Sequence, residues 1–379
     1  MYSGYFNHYT RSAESRWERR DFVRRWWRLN RADRRWTPPD YRLLCRALVA
    51  QRDSHLQRGR LALVWVEALP GRPRQPNEPL RGMALGMMEE PVAAAVVMAD
   101  PRRRDRTAYL ALLACANDEE SLDRLLAAAQ EHAWSLGCDR LLGPVGLSPY
   151  LQAGALCDHF HRAPPLHTPY NPPYLPDVLQ TSLDAIQTTR LYQVAVSVPA
   201  PSAPTPSAGP AQLVPLDPAR LAGDLLPLFA ATLAEGTDFP PPDAAEAAFL
   251  LAWWGRYPLS GWLALAGATP VGYVLHQPDL APLMRWAGGG RAWWRRGWLA
   301  WRRTHPASAG RLLAGGVLPA WRGRGIGSQL WQQTLADAAA QGWQTLTLGP
   351  LDPQSQAAAF LTVRGAIAQQ SYALYATEG

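Results

Sequence analysis

The sequence predicts an α/β (α+β) chain built from two similar units, each a mixed, mostly antiparallel sheet flanked by helices. Three observations carry this. Strand-length apolar runs and helix-period segments follow one another twice in much the same order. A Pro/Ala/Ser stretch over 199–211 has nothing to bury and reads as an extended spacer between residues 1–198 and 212–379. At 379 residues and 47% hydrophobic content, the chain exceeds one ordinary domain and can fill two cores.

The first unit opens with helix-like segments over Ser15–Asn30 and Tyr41–Arg58. Three apolar, partly β-branched runs follow as strands: Leu61–Val66, Val92–Met98 and Ala108–Cys115. A proline-rich surface loop, 70–79, separates the first two. Asn117 or Asp118 can cap the next helix, whose Leu122, Leu125, Leu126, Ala129 and Trp134 share one face until Gly137 ends it. Arg140–Val145 is the next strand. Then comes a loop rich in His, Pro and Tyr, from Cys157-Asp158-His159-Phe160-His161 to Tyr174. His159 and His161 lack a second pair at metal-ligand spacing, so the loop reads as proline-stiffened structure that could line a cleft. No metal is expected.

In the second unit Gln212–Pro215 is a short strand, and Leu221 to Leu233 gives an amphipathic helix ending at Gly236. A helix over 244–256 and antiparallel strands Trp262–Ala266 and Pro270–His276 follow. An insertion, 280–306, places Trp293, Trp294, Trp298 and Trp301 on one helical face and Arg291, Arg295, Arg296, Arg302 and Arg303 on the other. Such a helix can lie on a membrane or meet a partner helix. The expectation here is that its tryptophans pack against the first unit.

The chemistry concentrates at 312–342. Leu312–Leu318 reads as a strand stopped by Pro319. The loop Arg322-Gly323-Arg324-Gly325-Ile326-Gly327-Ser328 follows, then a helix through Leu330, Leu335 and Ala339 to Gly342. Strand, glycine loop and helix together offer backbone N–H groups and a positive dipole end to a phosphate. A dinucleotide fingerprint fits poorly, because position 328 is Ser and the loop lies late in the chain. A Walker loop needs lysine, and the chain has none. An Arg-Gly nucleic-acid segment would be repeated, and this one occurs once. Thr345–Leu348, a helix over Ser355–Arg364 and Tyr372–Ala376 complete the unit.

Arg322-x-x-Gly325-x-Gly327, after a strand carrying Val317 and Pro319, resembles the acyl-CoA pyrophosphate loop of the GNAT acetyltransferases. The likeness is specific over 310–330, looser over 212–379, and architectural alone in the first half. It implies acetyl-CoA as co-substrate, held by Val317, Arg322, Gly323, Arg324, Gly325, Ile326, Gly327 and Ser328, with transfer of the acyl group to an amine of a small molecule or peptide. It further implies substrate contacts in the loop Thr237–Pro242. The first half is then a degenerate relative, since Asp118-Glu119-Glu120 at the matching turn would repel a pyrophosphate. Fem-type aminoacyl transferases are similar tandem arrangements.

The chain departs from the family at the catalytic step. Leu361 stands where a tyrosine commonly protonates the thiolate, and Leu312–Gly316 carries no glutamate base. Tyr372 and Asp238 are the candidate stand-ins, with Tyr375, Asp352 and His276 behind them. The catalytic side chain is left open, because positioning alone can supply ~7 kcal/mol. The rival readings are a non-catalytic acyl-CoA-binding regulatory module, or a membrane-surface or nucleic-acid adaptor using the Trp/Arg insertion and the arginines of 11–60. The formal charge of +7 rests on arginine alone and reads mainly as solvated helix faces. Neither nucleic acid nor membrane is expected as a partner. Four scattered cysteines, no signal segment and no membrane-length apolar run suggest a cytoplasmic bacterial protein.

Overall fold

The computed structural model describes residues 5–50, 54–70, 90–196, 211–217, 221–302 and 307–377. The first half runs β1 (Tyr5–Ser12), α1 (Arg16–Asn30), α2 (Tyr41–Cys45), a π-helical turn (Arg46–Ala50), α3 (Ser54–Arg58), β2 (Arg60–Pro70), β3 (Glu90–Ala99), β4 (Thr107–Cys115), α4 (Glu119–Ser135), β5 (Arg140–Val145), β6 (Ala155–Leu156), α5 (Leu175–Leu179) and β7 (Asp184–Ala195). The second half runs β8 (Gln212–Pro215), α6 (Leu221–Thr232), α7 (Ala244–Trp254), β9 (Ser260–Ala266), β10 (Thr269–Pro278), α8 (Ala281–Ala287), α9 (Trp293–Arg302), β11 (Ala309–Val317), α10 (Ile326–Ala340), β12 (Thr345–Leu351), α11 (Gln356–Thr362) and β13 (Ile367–Ala376). The spacer expected over 199–211 lies outside the described residues except for Ala211, and the loop expected over 70–79 lies outside them beyond Pro70.

Local chemistry sets the helix starts. Ser15 and Glu18 form a reciprocal capping box on α1, and Asp118, Asp243 and Ser355 cap α4, α7 and α11 through their side-chain oxygens. The single helix expected over Tyr41–Arg58 is instead α2, the π turn and α3, a path that buries Leu44, Leu48 and Leu56. The first half also begins with a strand rather than a helix. β1 carries His, Thr, Arg and Ser and shows little apolar alternation, and it pairs along β2. With β1 added, the strands of the two halves match one for one apart from β6, and the second half adds α8 and α9.

All the strands join one mixed sheet in the order β1-β2-β3-β4-β5-β13-β7-β12-β11-β10-β9-β8, with β6 beside β13. Only β4–β5 and β11–β12 pair in parallel among the described strands. The order is symmetric about the β13–β7 pair, and there the halves exchange their last strands. β13, from the end of the chain, lies against β5 of the first half, while β7 of the first half lies against β12. β7 is a strand that hydrophobic periodicity did not find, because Gln187, Thr189 and Arg190 dilute the pattern.

A buried polar network joins the halves. Glu246 on α7 is fully buried and accepts from Arg102 Nη2 at 2.6 Å and from Ser148 Oγ at 2.7 Å. Arg102 also donates to Asp100 and, at 2.8 Å, to the Pro241 carbonyl. A buried carboxylate is tolerated only with such full pairing.

The tryptophans of the insertion do not pack as expected. Trp293, Trp294 and Trp301 are exposed, as is Trp286, and the half-buried Trp298 stacks on Trp286 with ring centroids 3.8 Å apart. The glycine turn between α8 and α9 makes the contact instead. Gly289 has φ +61° and sits so close to the Pro39 carbonyl and the Trp27 ring that a side chain has no room. Met284, Ala287 and Leu299 form a small core there with Leu166 and Tyr257.

Candidate active site

β11 and β12 pair over Ala309–Arg311 and Thr345–Thr347 and then part. Beyond that point β11 stays bonded to β10 on one side only, so its other edge, from Leu312 to Val317, opens into a cavity. The cavity measures about 1140 Å³. Its walls are β11, the glycine loop, α11 and the start of β10's neighbour α10, with Pro149–Gly154 and β7 of the first half closing one end.

The loop is shaped by two glycines. Gly323 (φ +73°) and Gly325 (φ +82°) are left-handed, a conformation costing other residues about 1–2 kcal/mol. Gly325 is the N-cap of α10, and no side chain caps that terminus. Ile326 anchors the helix in a cluster with Ala264, Val271, Val274 and Leu330. The space where a side chain would start at Gly323 or Gly325 is open, so nothing on that side of the loop stands in an anion's way. These features fit a pyrophosphate.

Val317, Arg322, Gly323, Gly325, Ile326, Gly327 and Ser328 all line the cavity. Arg322 Nε donates to the Val317 carbonyl at 3.0 Å, and its guanidinium forks onto Glu235, with one bond at 2.6 Å. That bond lowers the Glu235 pKa and raises that of Arg322. Arg324 is the exception: it lies over the Trp321 ring at 4.8 Å and is not on the lining.

The catalytic candidates fare differently. Tyr372 is fully buried, and its hydroxyl donates to Gln370 Oε1 at 3.3 Å. Burial pushes its pKa far up. Asp238 is exposed and 3.4 Å from Arg103 of the first half. Neither lines the cavity, and nor do Tyr375 or His276, whose Nε2 lies 3.2 Å from Asp337. Asp352 does, with Oδ1 accepting from the Gln354 N–H at 2.8 Å. Of the loop 157–174 only His167 reaches the lining, and of Thr237–Pro242 only Thr237 and Phe239 do.

Sequence reasoning missed three lining groups, Arg364, Tyr273 and Arg311, whereas His167 belongs to the loop expected to line a cleft. Arg364, just past the end of the helix that carries Leu361, donates to Ser328 Oγ at 2.9 Å, so a third arginine stands at the glycine loop. Tyr273 on β10 is buried, 3.2 Å from Thr232 Oγ, and burial raises its pKa strongly. Arg311 and His167 lie at the end where the strands part. Strand registry alone could have placed Arg311, one residue before the divergence.

The first half lacks this geometry. β4 pairs with β5 from Thr107 to Ala111, and α4 starts directly after 116–118. Asp118 spends its carboxylate on the Ser121 N–H at 3.0 Å and on His8 Nε2 at 3.1 Å. Tyr174 Oη donates to the Cys115 carbonyl at 2.9 Å, closing the end of β4 with the chain's own loop.

Residues 229–366 match the model of the acetyltransferase (GNAT) family. That stretch of the second half is a GNAT domain. No curated protein sequence matches the chain. Among solved structures, a tandem GNAT protein from the clavulanic acid biosynthesis pathway superposes with a TM-score of 0.58 at 13% identity, covering 98% of both chains. A GCN5-related N-acetyltransferase from Sphaerobacter thermophilus gives 0.50 at 12% identity over 98% of this chain and 95% of that one. A conserved protein of unknown function from Enterococcus faecalis gives 0.54 at 6% identity over 98% and 72%. At such identities the likeness is one of fold, and the whole chain has the tandem GNAT architecture. Among the described residues no cluster of His, Cys, Asp and Glu is placed to hold a metal, and no helix is long and apolar enough to cross a membrane.

Proposed function

We propose that the chain is an N-acyltransferase that moves an acyl group, acetyl in the simplest case, from acyl-CoA to an amine of a small molecule or peptide. Residues 212–379 carry the donor site, and residues 1–198 complete the acceptor end without binding CoA. One observation carries the reading: the uncapped, glycine-shaped N-terminus of α10 opens directly onto the unpaired edge of β11. Acetyl-CoA supplies an activated acyl carbonyl. The glycine loop, with Arg322 and Arg364, holds the pyrophosphate, and the β11 edge hydrogen-bonds the pantetheine arm and polarises the carbonyl.

With Leu361 in place of the usual tyrosine, Tyr273 is the phenol we assign to proton donation. Its raised pKa keeps the phenol neutral at physiological pH, so its O–H can hydrogen-bond to the departing sulfur and supply it with a proton. The amine nitrogen bonds to the acyl carbon, the carbon–sulfur bond breaks, sulfur takes the Tyr273 proton, and the proton lost by the amine returns through solvent to the Tyr273 oxygen. Thiol release from acetyl-CoA on a broad amine panel tests this. Turnover that falls ~10²-fold in Tyr273→Phe, with acetyl-CoA affinity unchanged, supports it. Binding without turnover on the whole panel favours a regulatory acyl-CoA module instead.

The exposed Trp286, Trp293, Trp294 and Trp301, beside arginines of α9, favour a second role as a surface anchor for anionic lipid. Flotation with phosphatidylserine vesicles, abolished in Trp293→Ala/Trp294→Ala, would support that role, and indifference to the vesicles would remove it.

A further inference from the structure

The deep end of the cavity holds polar groups that the acyl-donor site does not use. Arg311 is the last β11 residue paired with β12 before the strands part. It is 3% exposed, and Nη2 donates to the Gly349 carbonyl, while Nε and Nη1 find no partner among the described residues. Gln277 faces Arg311 across the β10–β11 ladder, and there both atoms of its buried side-chain amide are also unpartnered. His167, on the cavity lining, has Nε2 sealed from solvent with no partner. Its backbone is left-handed at φ +60°, an uncommon state for a residue other than glycine. Burial, and then the charge of Arg311, depress its imidazole pKa to about 3, so at neutral pH the ring is uncharged and carries one N–H.

The nearby carboxylate does not answer Arg311. Asp279 is half-buried, and its Oδ1 already accepts from the Leu166 and Ala281 N–H groups at 2.9 and 3.0 Å. No ion pair joins it to Arg311 among the described residues, although its charge acts on Arg311 from a distance. Buried donors are almost always paired, and a charged guanidinium with unanswered N–H donors at Nε and Nη1 calls for an anionic acceptor.

We infer that this end of the cavity is an acceptor subsite for a carboxylate, gripped by Arg311 with His167 beside it, so that the amine substrate is an amino acid or a peptide presenting its C-terminus. The inference rests on the acyl-transfer reading and adds the acceptor's chemical class. Held there, the acceptor lies along the cavity with its far end directed toward the open edge of β11, where the acyl carbonyl would sit.

The test uses product analogues on the full chain: N-acetylated amino acids and dipeptides, each beside its C-terminal amide, with inorganic phosphate as a separate probe. Calorimetry is run on the CoA-free chain and on the CoA-saturated chain. At least one acid should bind tenfold or more tightly than its amide, and Arg311→Met should erase the difference. His167→Asn, which tolerates the same backbone, should weaken acid binding severalfold and decides the matter if Arg311→Met does not fold. Equal binding of acids and amides, no acid binding, phosphate binding alone, or discrimination that survives both substitutions would overturn the subsite. Loss of acetyl-CoA binding in the wild-type chain would instead sink the acyl-transfer reading, and the acid–amide comparison on the CoA-free chain still judges the subsite.

Discussion

Between β4 and α4 the first half has only 116–118, whereas between β11 and α10 the second half has 318–325. The short turn puts Asp118 on the helix N-terminus, and a histidine and a serine hold that carboxylate in place. The long turn leaves the terminus to Gly325, with no side chain on it. The same fold therefore carries two opposite electrostatic fates at one position. A helix start that already owns a carboxylate has no use for a phosphate, and one that owns none leaves its N–H groups free to meet one. The adjoining strands differ as well: β4 keeps β5 through Ala111 and its last carbonyl takes the Tyr174 hydroxyl, whereas β11 leaves β12 after Arg311.

The contrast does not make the halves independent. Each completes its sheet with the other's last strand, so the open half leans on the closed one. Expressed alone, residues 212–379 lack the partner of β12 and should be unfolded or aggregated, and residues 1–198 supplied in trans should restore a soluble complex. A monomeric, cooperatively folded 212–379 would break this part of the account.

A smaller effect probes the seam between the halves. Glu246→Ala strands Arg102 and empties the centre of the buried network, at a cost of about 3–5 kcal/mol in denaturant unfolding. A loss below about 1 kcal/mol would mean that the two halves are joined by the strand exchange alone.

The least effect concerns the loop itself. Arg322 is paired with Glu235 in a largely exposed fork. Glu235→Gln should free the guanidinium and tighten acetyl-CoA binding up to about fivefold, since exposed pairs contribute at most about 1 kcal/mol. Weaker binding would show that Glu235 positions Arg322 rather than competing for it.

Much of this was legible in the sequence because the decisive features are local. Gly325, Gly327 and Pro319 punctuate a strand-to-helix turn whatever surrounds them, and Asp118, Asp243 and Ser355 announce their helices. The repeat Leu142-Gly143-Pro144 and Leu348-Gly349-Pro350, at matching points of β5 and β12, could also have aligned the halves. What stayed hidden is set by tertiary placement. β1 and β7 carry too many polar residues to show a strand period, and they are strands because neighbours pair with them. Tyr372 resembles a catalytic phenol in sequence, yet its strand faces it into a core away from the cavity. Tyr273 and Arg311 read as ordinary strand residues until β11 and β12 part beside them. The insertion's tryptophans were expected to supply an apolar interface, and Gly289 packing under Pro39 supplied it instead.

The most direct measurement is a calorimetric titration of the full chain with acetyl-CoA, repeated on Gly325→Glu. The account predicts one site per chain, and a loss of ~100-fold or more in the variant. Left-handed strain at position 325 and a carboxylate at the helix start both oppose the anion there, and ~100-fold corresponds to ~2.8 kcal/mol. Two sites per chain, or one that survives Gly325→Glu, would place CoA in the closed half and contradict the account, and no binding at all would leave the glycine loop a turn without a ligand.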